Sequence, residues 1–439
     1  MGRKTLAVAA LIAVTALTAT GCTGAAATKG ESADAATDPA KVSGTITVLT
    51  HRTDLVQNGT LKKYAAAFNK IYPKVTVKFD GITDYEGEVK IRMNTDNYGD
   101  VLMIPNAIAK KDYPSFFASL GSAGELSKKY RFTDKANVDG KVYGLATVGN
   151  ADGFVYNKAV WKKAGITDWP TSPKEFVADL KAIKAKTGAV PYYTNFKDLW
   201  PLTAGAASVG SVTCDATAND KLATSTAPWA AGTDLNVIDT LLYDVVHDKL
   251  VEKDPTTTNW ENSKGMIARG QIATMQLGSW AISQMQNAAK TAGKNPDDIG
   301  FMPFPAQTNG KFCSMLSSDY QEAVSIHSKN KAAARAWVDW FADKSGFAQN
   351  EGSIPTLKSG ALPDTLKPFE DNGVTMLERS DAKSSEVNAI DNAAEIGLAK
   401  PDYRQKLVDM ARGVQKGSLK DYFAELDKKW SEAEKTAGS

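Results

Sequence analysis

The sequence predicts an α/β protein long enough for two domains. Three observations carry this expectation. The chain has 439 residues, and the stretch from about 43 to 439 is long enough for two domains. A strand, a helix and a second strand follow one another between Thr45 and Phe79, the βαβ order that implies a parallel sheet. A second alternation of strand and helix begins after Tyr143-Gly144-Leu145.

Each element has a local reason. Thr45 to Leu49 alternates β-branched and apolar residues, as a strand does. Leu61, Tyr64, Ala65, Phe68 and Ile71 fall at helical spacing, and Pro73 stops that helix. Val75, Val77 and Phe79 alternate as the next strand, and Val101 to Ile104 is a continuous apolar run suited to a buried parallel strand. Phe154 to Tyr156 and Ile272 to Met275 are further strands. Ser172-Pro173-Lys174-Glu175 has the elements of a capping box with Pro at the first helical position; Phe176, Leu180 and Ile183 continue the helix and Gly188 closes it. Phe301 to Pro305 is extended, and Ala334 to Phe341 and the segment after Ser418 are helices.

The N-terminus sets the compartment. Arg3 and Lys4 precede a short apolar run, Leu6 to Leu17, too short to span a bilayer as a mature helix. Ala19-Thr20-Gly21-Cys22 resembles the lipobox of bacterial lipoproteins, with Ala19 where Leu is usual. The resemblance implies cleavage of residues 1–21 and lipidation of Cys22; the alternative is an ordinary secretory signal. Residues 22–42 hold almost no bulky apolar side chains and are expected to form a flexible tether. No later segment has the ~18 consecutive apolar residues of a membrane span. The expected location is therefore outside the cytoplasm, on the outer face of the cell membrane, held by the lipid.

The formal net charge is +2, and no basic run with interleaved aromatics suggests nucleic acid. His51, His247 and His327 are far apart and lack metal-ligand spacing, so neither metal nor cofactor is expected. Cys214 and Cys313 form either a disulfide or two separate buried thiols.

A series of short motifs runs along the body: Gly99-Asp100-Val101; Val142-Tyr143-Gly144-Leu145; Tyr156-Asn157-Lys158 with Ala164-Gly165-Ile166 and Glu175-Phe176; Gly270-Gln271-Ile272-Ala273-Thr274-Met275 with Gly278-Ser279-Trp280; Pro303-Phe304-Pro305; and Ser328-Lys329-Asn330-Lys331. In this order and spacing they resemble the extracellular solute-binding proteins of ABC sugar importers, the maltose-binding-protein-like family, over about 44–430. The resemblance implies a periplasmic-binding-protein-like fold, with a ligand cleft between lobes joined by hinge strands and closure on the ligand. It places 43–149 with 306–346 in lobe one and 150–305 with 347–439 in lobe two. It implies a monomer that delivers a mono- or oligosaccharide to permease subunits. The chain has no Walker A pattern, so the ATPase is expected to be a separate chain.

Sugar recognition needs aromatic rings over pyranose C–H faces and planar polar groups for hydroxyls. Trp280 follows a strand within the most specific motif and, by resemblance, is the stacking platform. Trp200, before Pro201, resembles an aromatic-rich stretch that lines the family's cleft, which implies a second platform. Trp260 is a third candidate whose alternative is packing under a loop. Trp337, Trp340 and Trp430 are expected in the core, Trp161 and Trp169 in packing or at the surface, and Trp229 is unplaced. Polar candidates lie at strand ends, where α/β sheets bind ligands: His51, Arg52 and Asp54; Asp80, Asp84 and Tyr85; Asn106; Asn150 and Asp152; Ser279; Asp319 and Tyr320; and Glu351.

Three functions compete. Sugar capture for an importer fits the motifs. A secreted glycoside hydrolase would need a pair of acids, yet no nucleophile elbow, zinc signature or distinctive acid pair is present. A binding protein for a peptide, polyamine or phosphate ester is the third; a phosphate would want a Gly-rich helix N-terminus or an arginine cluster, and only Arg52 lies near the predicted cleft.

Overall fold

The computed structural model describes residues 31–35, 38–106 and 108–437. The expected signal segment and Cys22 lie outside them. The strands of the two main sheets are, in chain order, β1 (Ser43–Thr50), β2 (Lys74–Gly81), β3 (Val101–Met103), β4 (Leu145–Ala146), β5 (Gly149–Asn157), β6 (Thr274–Gly278), β7 (Ile299–Met302), β8 (Gln307–Thr308), β9 (Lys311–Ser318), β10 (Gln321–Val324) and β11 (Thr375–Glu378). The helices used below are α1 (Thr60–Asn69), α2 (Tyr85–Arg92), α3 (Pro173–Lys186), α4 (Trp280–Thr291), α5 (Lys331–Lys344) and α6 (Leu419–Ala437).

Lobe one is built on the sheet β2-β1-β3-β10-β4. β1 runs parallel to both β2 and β3, as the βαβ order requires, and β10 runs antiparallel to β3 and β4. The Gly99-Asp100 motif is a joint. Gly99 adopts φ 79°, a left-handed conformation that suits glycine. Asp100 then accepts from Thr47 N (2.8 Å) and from Ser328 Oγ (2.6 Å), so two motifs far apart in sequence meet. Phe68 of α1 packs edge-on against Trp337 and Trp340 of α5, which are buried as the helical spacing predicts.

Lobe two departs from the simple parallel pattern. β5 is central, with β6 on one side, β7 on the other and β9 at its start, all antiparallel to it. β6 and β7 run parallel to each other across β5, with α4 as their crossover. The capping box forms in part: Ser172 Oγ accepts from Glu175 N (3.2 Å), while the Glu175 carboxylate reaches back to Thr171 N (2.7 Å) instead of Ser172 N. Trp229 and Trp430 are buried together in the helical part of this lobe, with Trp229 Nε1 donating to Asp239 (2.8 Å).

Three crossings lie side by side between the lobes. The end of β9 pairs with the start of β5, and Ile354 exchanges two backbone hydrogen bonds with Gly149, each 2.8 Å. The second crossing falls between Ser318 and Gln321, not at 306, because β8 and β9 form a hairpin that returns to the lobe-two sheet. The third falls later than 347: Phe347 and Ala348 sit in the lobe-one core and Tyr130 bridges Leu357.

The tether expected over 22–42 is also corrected at its C-terminal part. Ser32 pairs with Ser119, Ala33 is buried in the lobe-one core, and Ala33 O accepts from the buried Arg335 Nη1 (2.7 Å). Lys331 pairs with Glu31 at 2.8 Å. The open backbone groups of Ser119 offer hydrogen bonds, and a small alanine fits beneath them, so low apolar content did not prevent docking.

Cys214 and Cys313 are joined as a disulfide, with Cα atoms 5.3 Å apart. It ties the loop after the Trp200–Ser208 turn to β9, within lobe two.

Candidate functional site

A cavity of about 1310 Å³ lies between the lobes, beside the three crossings. It exceeds the ~300–1,000 Å³ of ordinary small-molecule sites. Trp200, Trp280, His51, Arg52, Asp54, Asn106, Asn150, Asp152, Asp319, Tyr320 and Glu351 all line it, so most of the sequence candidates converge.

The lobe-two wall is aromatic. The Trp200 and Trp280 rings lie 5.9 Å apart between centroids, tilted by 46°, and form an open V. Gly278 explains the Gly-Ser-Trp motif, because a Cβ there would sit 2.6 Å from Trp280 Cδ1. Only glycine lets the indole fold back over the strand end. Ser279 does not reach the cleft: it is buried, its hydroxyl accepts from Ala151 N (3.0 Å), and its N–H donates to Ala151 O (2.8 Å). It clasps the end of β6 to β5 and so seats its neighbour. Trp260 does not line the cleft either. It packs edge-on behind both rings, at 5.1 Å from Trp200 and 5.6 Å from Trp280. Leu199 holds φ 61° directly before Trp200, an uncommon conformation for a residue with a branched side chain.

The floor is polar. Asn150 lies on β5 at the first crossing, and its buried Oδ1 has no protein partner among the described residues. Asp152 is buried beneath it. One of its oxygens accepts from Ser211 Oγ (2.9 Å), Ser314 Oγ (3.0 Å) and Met315 N. Burial pushes its carboxyl up to about 6, against the pull of these donors and of the nearby Ser208 hydroxyl.

The lobe-one wall carries the charges. Arg52 forks between Asp54 (2.9 and 2.8 Å) and Glu351 (2.7 Å). The arginine hydrogen bond holds the Asp54 carboxyl below its usual range. His51 packs against Tyr320 at 5.1 Å, and its Nδ1 is buried without a partner among the described residues. Burial lowers its pKa, which favours the neutral imidazole at pH 7. Arg52 is the one arginine or lysine among the described lining residues, set against Asp54, Asp319 and Glu351 at the rim.

Two other candidates are off the cleft. Asp80 pairs with Arg92 at 2.6 Å on the outer side of β2. Tyr85 is buried, and its hydroxyl both donates to Met103 O (2.9 Å) and accepts from Met103 N (2.8 Å), which pins α2 to β3. Asp84 caps α2 by accepting from Gly87 N. The sequence reading missed Glu86, a hub that receives Tyr320 Oη (2.7 Å), Asn106 N (3.1 Å) and Asn106 Nδ2 (3.0 Å). It also missed Ser283, Gln284 and Asn287 on α4, which line the cleft. The signal for these was present, since they fall three, four and seven residues after Trp280.

Comparison with known proteins bears on this geometry. Residues 53–346 match the family model described as bacterial extracellular solute-binding protein. The chain belongs to that family. Among solved structures, the BlMnBP1 binding protein of an ABC transporter from Bifidobacterium animalis subsp. lactis, in complex with mannobiose, is 34% identical, covers 91% of this chain and 96% of its own, and superposes with a TM-score of 0.81. The manno-oligosaccharide-specific BlMnBP2 of the same organism, in complex with mannotriose, is 33% identical over 90% of this chain and 95% of its own, at a TM-score of 0.80. The multiple sugar-binding protein of Streptococcus mutans is 24% identical over 71% of this chain and 75% of its own length. The two-lobed fold of an extracellular solute-binding protein is thus established for this chain, as the motif series implied.

Proposed function

We propose that this solute-binding protein captures a short, neutral manno-oligosaccharide between its lobes and delivers it to the permease of an ABC importer. The observation that carries the reading is the open pair of Trp200 and Trp280 facing a wall of amides and carboxylates. Flat indoles suit the C–H faces of pyranose rings, and planar polar groups suit hydroxyls that both donate and accept. The manno-type ligand follows from the two Bifidobacterium relatives at about a third identity. The rim charges favour a neutral sugar: Arg52 is spoken for by Asp54 and Glu351, so a phosphate ester or uronic acid would meet uncompensated carboxylates.

The chain is read as a monomeric binding protein without enzymatic activity, anchored through a lipidated Cys22 and served by a separate ATPase. Cys22→Ala should release the protein from the membrane fraction or stall it as precursor, with the binding body intact; processed protein still in the membrane would refute the anchor. Titration calorimetry with mannobiose and mannotriose, against galactose- and glucose-based oligosaccharides of equal length, tests the ligand. Micromolar or tighter binding of the manno-series alone is the expected result. Preference for another series would overturn the manno assignment, and binding of none would overturn sugar capture.

A further inference from the structure

The platform tryptophans account for one end of the cleft, yet its lobe-two wall continues along α4. From Trp280 at the first position, Ser283, Gln284 and Asn287 follow on the same face and all line the cavity. The opposite face, with Ala281, Ile282, Met285 and Ala289, is buried. Helical geometry sets Asn287 about 10.5 Å along the axis from Trp280, two turns away. That is more than one pyranose ring can cover. Gln284 and Asn287 are exposed, and neither side chain has a protein partner among the described residues. Two primary amides therefore stand open on this face of the helix.

Facing this stripe are two lobe-one segments joined by an ion pair, Arg52 just after β1 and Glu351 just after the short Phe347–Asn350 helix. The two sides approach each other closely, since Ser283 Oγ donates to Glu351 O at 3.3 Å. The Arg52 fork holds Glu351 at this place, so the far wall is fixed and not a loose loop. The cavity bounded by this helix on one side and the ion-paired Arg52 and Glu351 segments on the other extends the platform site in one direction.

We infer that this part of the cavity is an extension subsite, in which the Gln284 and Asn287 amides bind the hydroxyls of the sugar units beyond the ring stacked on Trp280 and thereby set the preferred chain length. The inference rests on the sugar reading above and deepens it. An amide offers both a donor pair and an acceptor, which matches vicinal hydroxyls without demanding charge.

The test is a chain-length series. Mannobiose, mannotriose and mannotetraose are titrated into the full protein, into a Gln284→Ala/Asn287→Ala double variant and into Trp280→Ala. Both amides are surface groups, so a melting curve should show the double variant folded as well as the parent. The parent should bind the triose more tightly than the biose. The double variant should lose about five- to thirty-fold for the triose and tetraose, at roughly one net hydrogen bond per amide, and less than about two-fold for the biose. Trp280→Ala should weaken all three. An equal loss at every length, or no loss at any, would overturn the subsite while leaving sugar binding standing. If the parent binds none of the three, the ligand reading falls and the subsite with it.

Discussion

The two walls of the cleft are built on different principles. On lobe one the polar groups are mostly committed to one another: Arg52 to Asp54 and Glu351, and Asn106 and Tyr320 to Glu86. On lobe two the rings of Trp200 and Trp280 and the amides of Gln284 and Asn287 stand open, on a backbone fixed by the Ser279 clasp and the disulfide. A preorganised charged wall gives orientation and rejects charged competitors at little entropic cost on binding. An open aromatic wall gives area and affinity. The contrast teaches that affinity should be concentrated in lobe two and selectivity against charge in lobe one.

The largest expected effect is on the stability of the aromatic wall. The disulfide spans a sequence separation of 99, for which the chain-entropy model gives about 4–5 kcal/mol. A Cys214→Ala/Cys313→Ala variant should lose that order of stability in urea denaturation, with lobe two opening first in hydrogen exchange. An unchanged denaturation midpoint would show that the wall does not depend on the bond.

Next comes a buried acid on the lobe-one side. Glu322 lies in the sheet behind the cleft, accepting from Trp337 Nε1 (3.3 Å), and burial pushes its carboxyl up to about 8 from 4.5. The folded state therefore holds a proton that the unfolded chain releases between these values. Stability falls as pH rises through that window and is greatest below it. The span corresponds to roughly 3–5 kcal/mol. Glu322→Gln should flatten the fall in melting temperature between pH 5 and pH 8; a parent curve already flat over this range would refute the assignment.

Trp280→Ala should cost on the order of 2–4 kcal/mol of sugar binding, or roughly thirty- to a thousand-fold in affinity. The melting temperature should move much less, because a ring open to the cleft leaves no large internal void. Affinity retained in a destabilised protein would instead mean that the ring is core, and would erase the contrast between the walls.

The smallest effects belong to lobe one. Arg52→Met should change stability by no more than ~1 kcal/mol, since the pairs are partly exposed, while discrimination against anionic sugars becomes stronger. Asp80→Asn should leave affinity within about two-fold, because Asp80 serves Arg92 outside the cleft.

What could be read from the sequence tracks how local each cause is. The strand-helix-strand order of lobe one and the place of Trp280 at the cleft were legible because periodicity and a Gly-Ser-Trp turn act within a few residues. The α4 stripe was legible in principle by its spacing. The position of the second crossing was misread, although Asn309-Gly310, with φ of 54° and 73°, is a hairpin signal that returns β9 to lobe two. Glu86 was not legible: its partners come from positions 20 and 234 residues away, and only the folded sheet brings them together. Tyr85 and Asp80 sit at a strand end as ligand groups do, but which way a side chain turns there is decided by Met103 and Arg92, not by spacing.

Among the described residues, the short segment around Ser32 and Ala33 joins lobe one, through Ser119, Arg335 and Lys331. An anchor at Cys22, as proposed, would therefore pull on lobe one directly, and on lobe two through the three crossings and the side-chain contacts beside them, such as Lys110 Nζ to Asp381 O. If the lobes close on the proposed ligand, the anchored half would serve as the door frame and the half bearing the two indoles as the door.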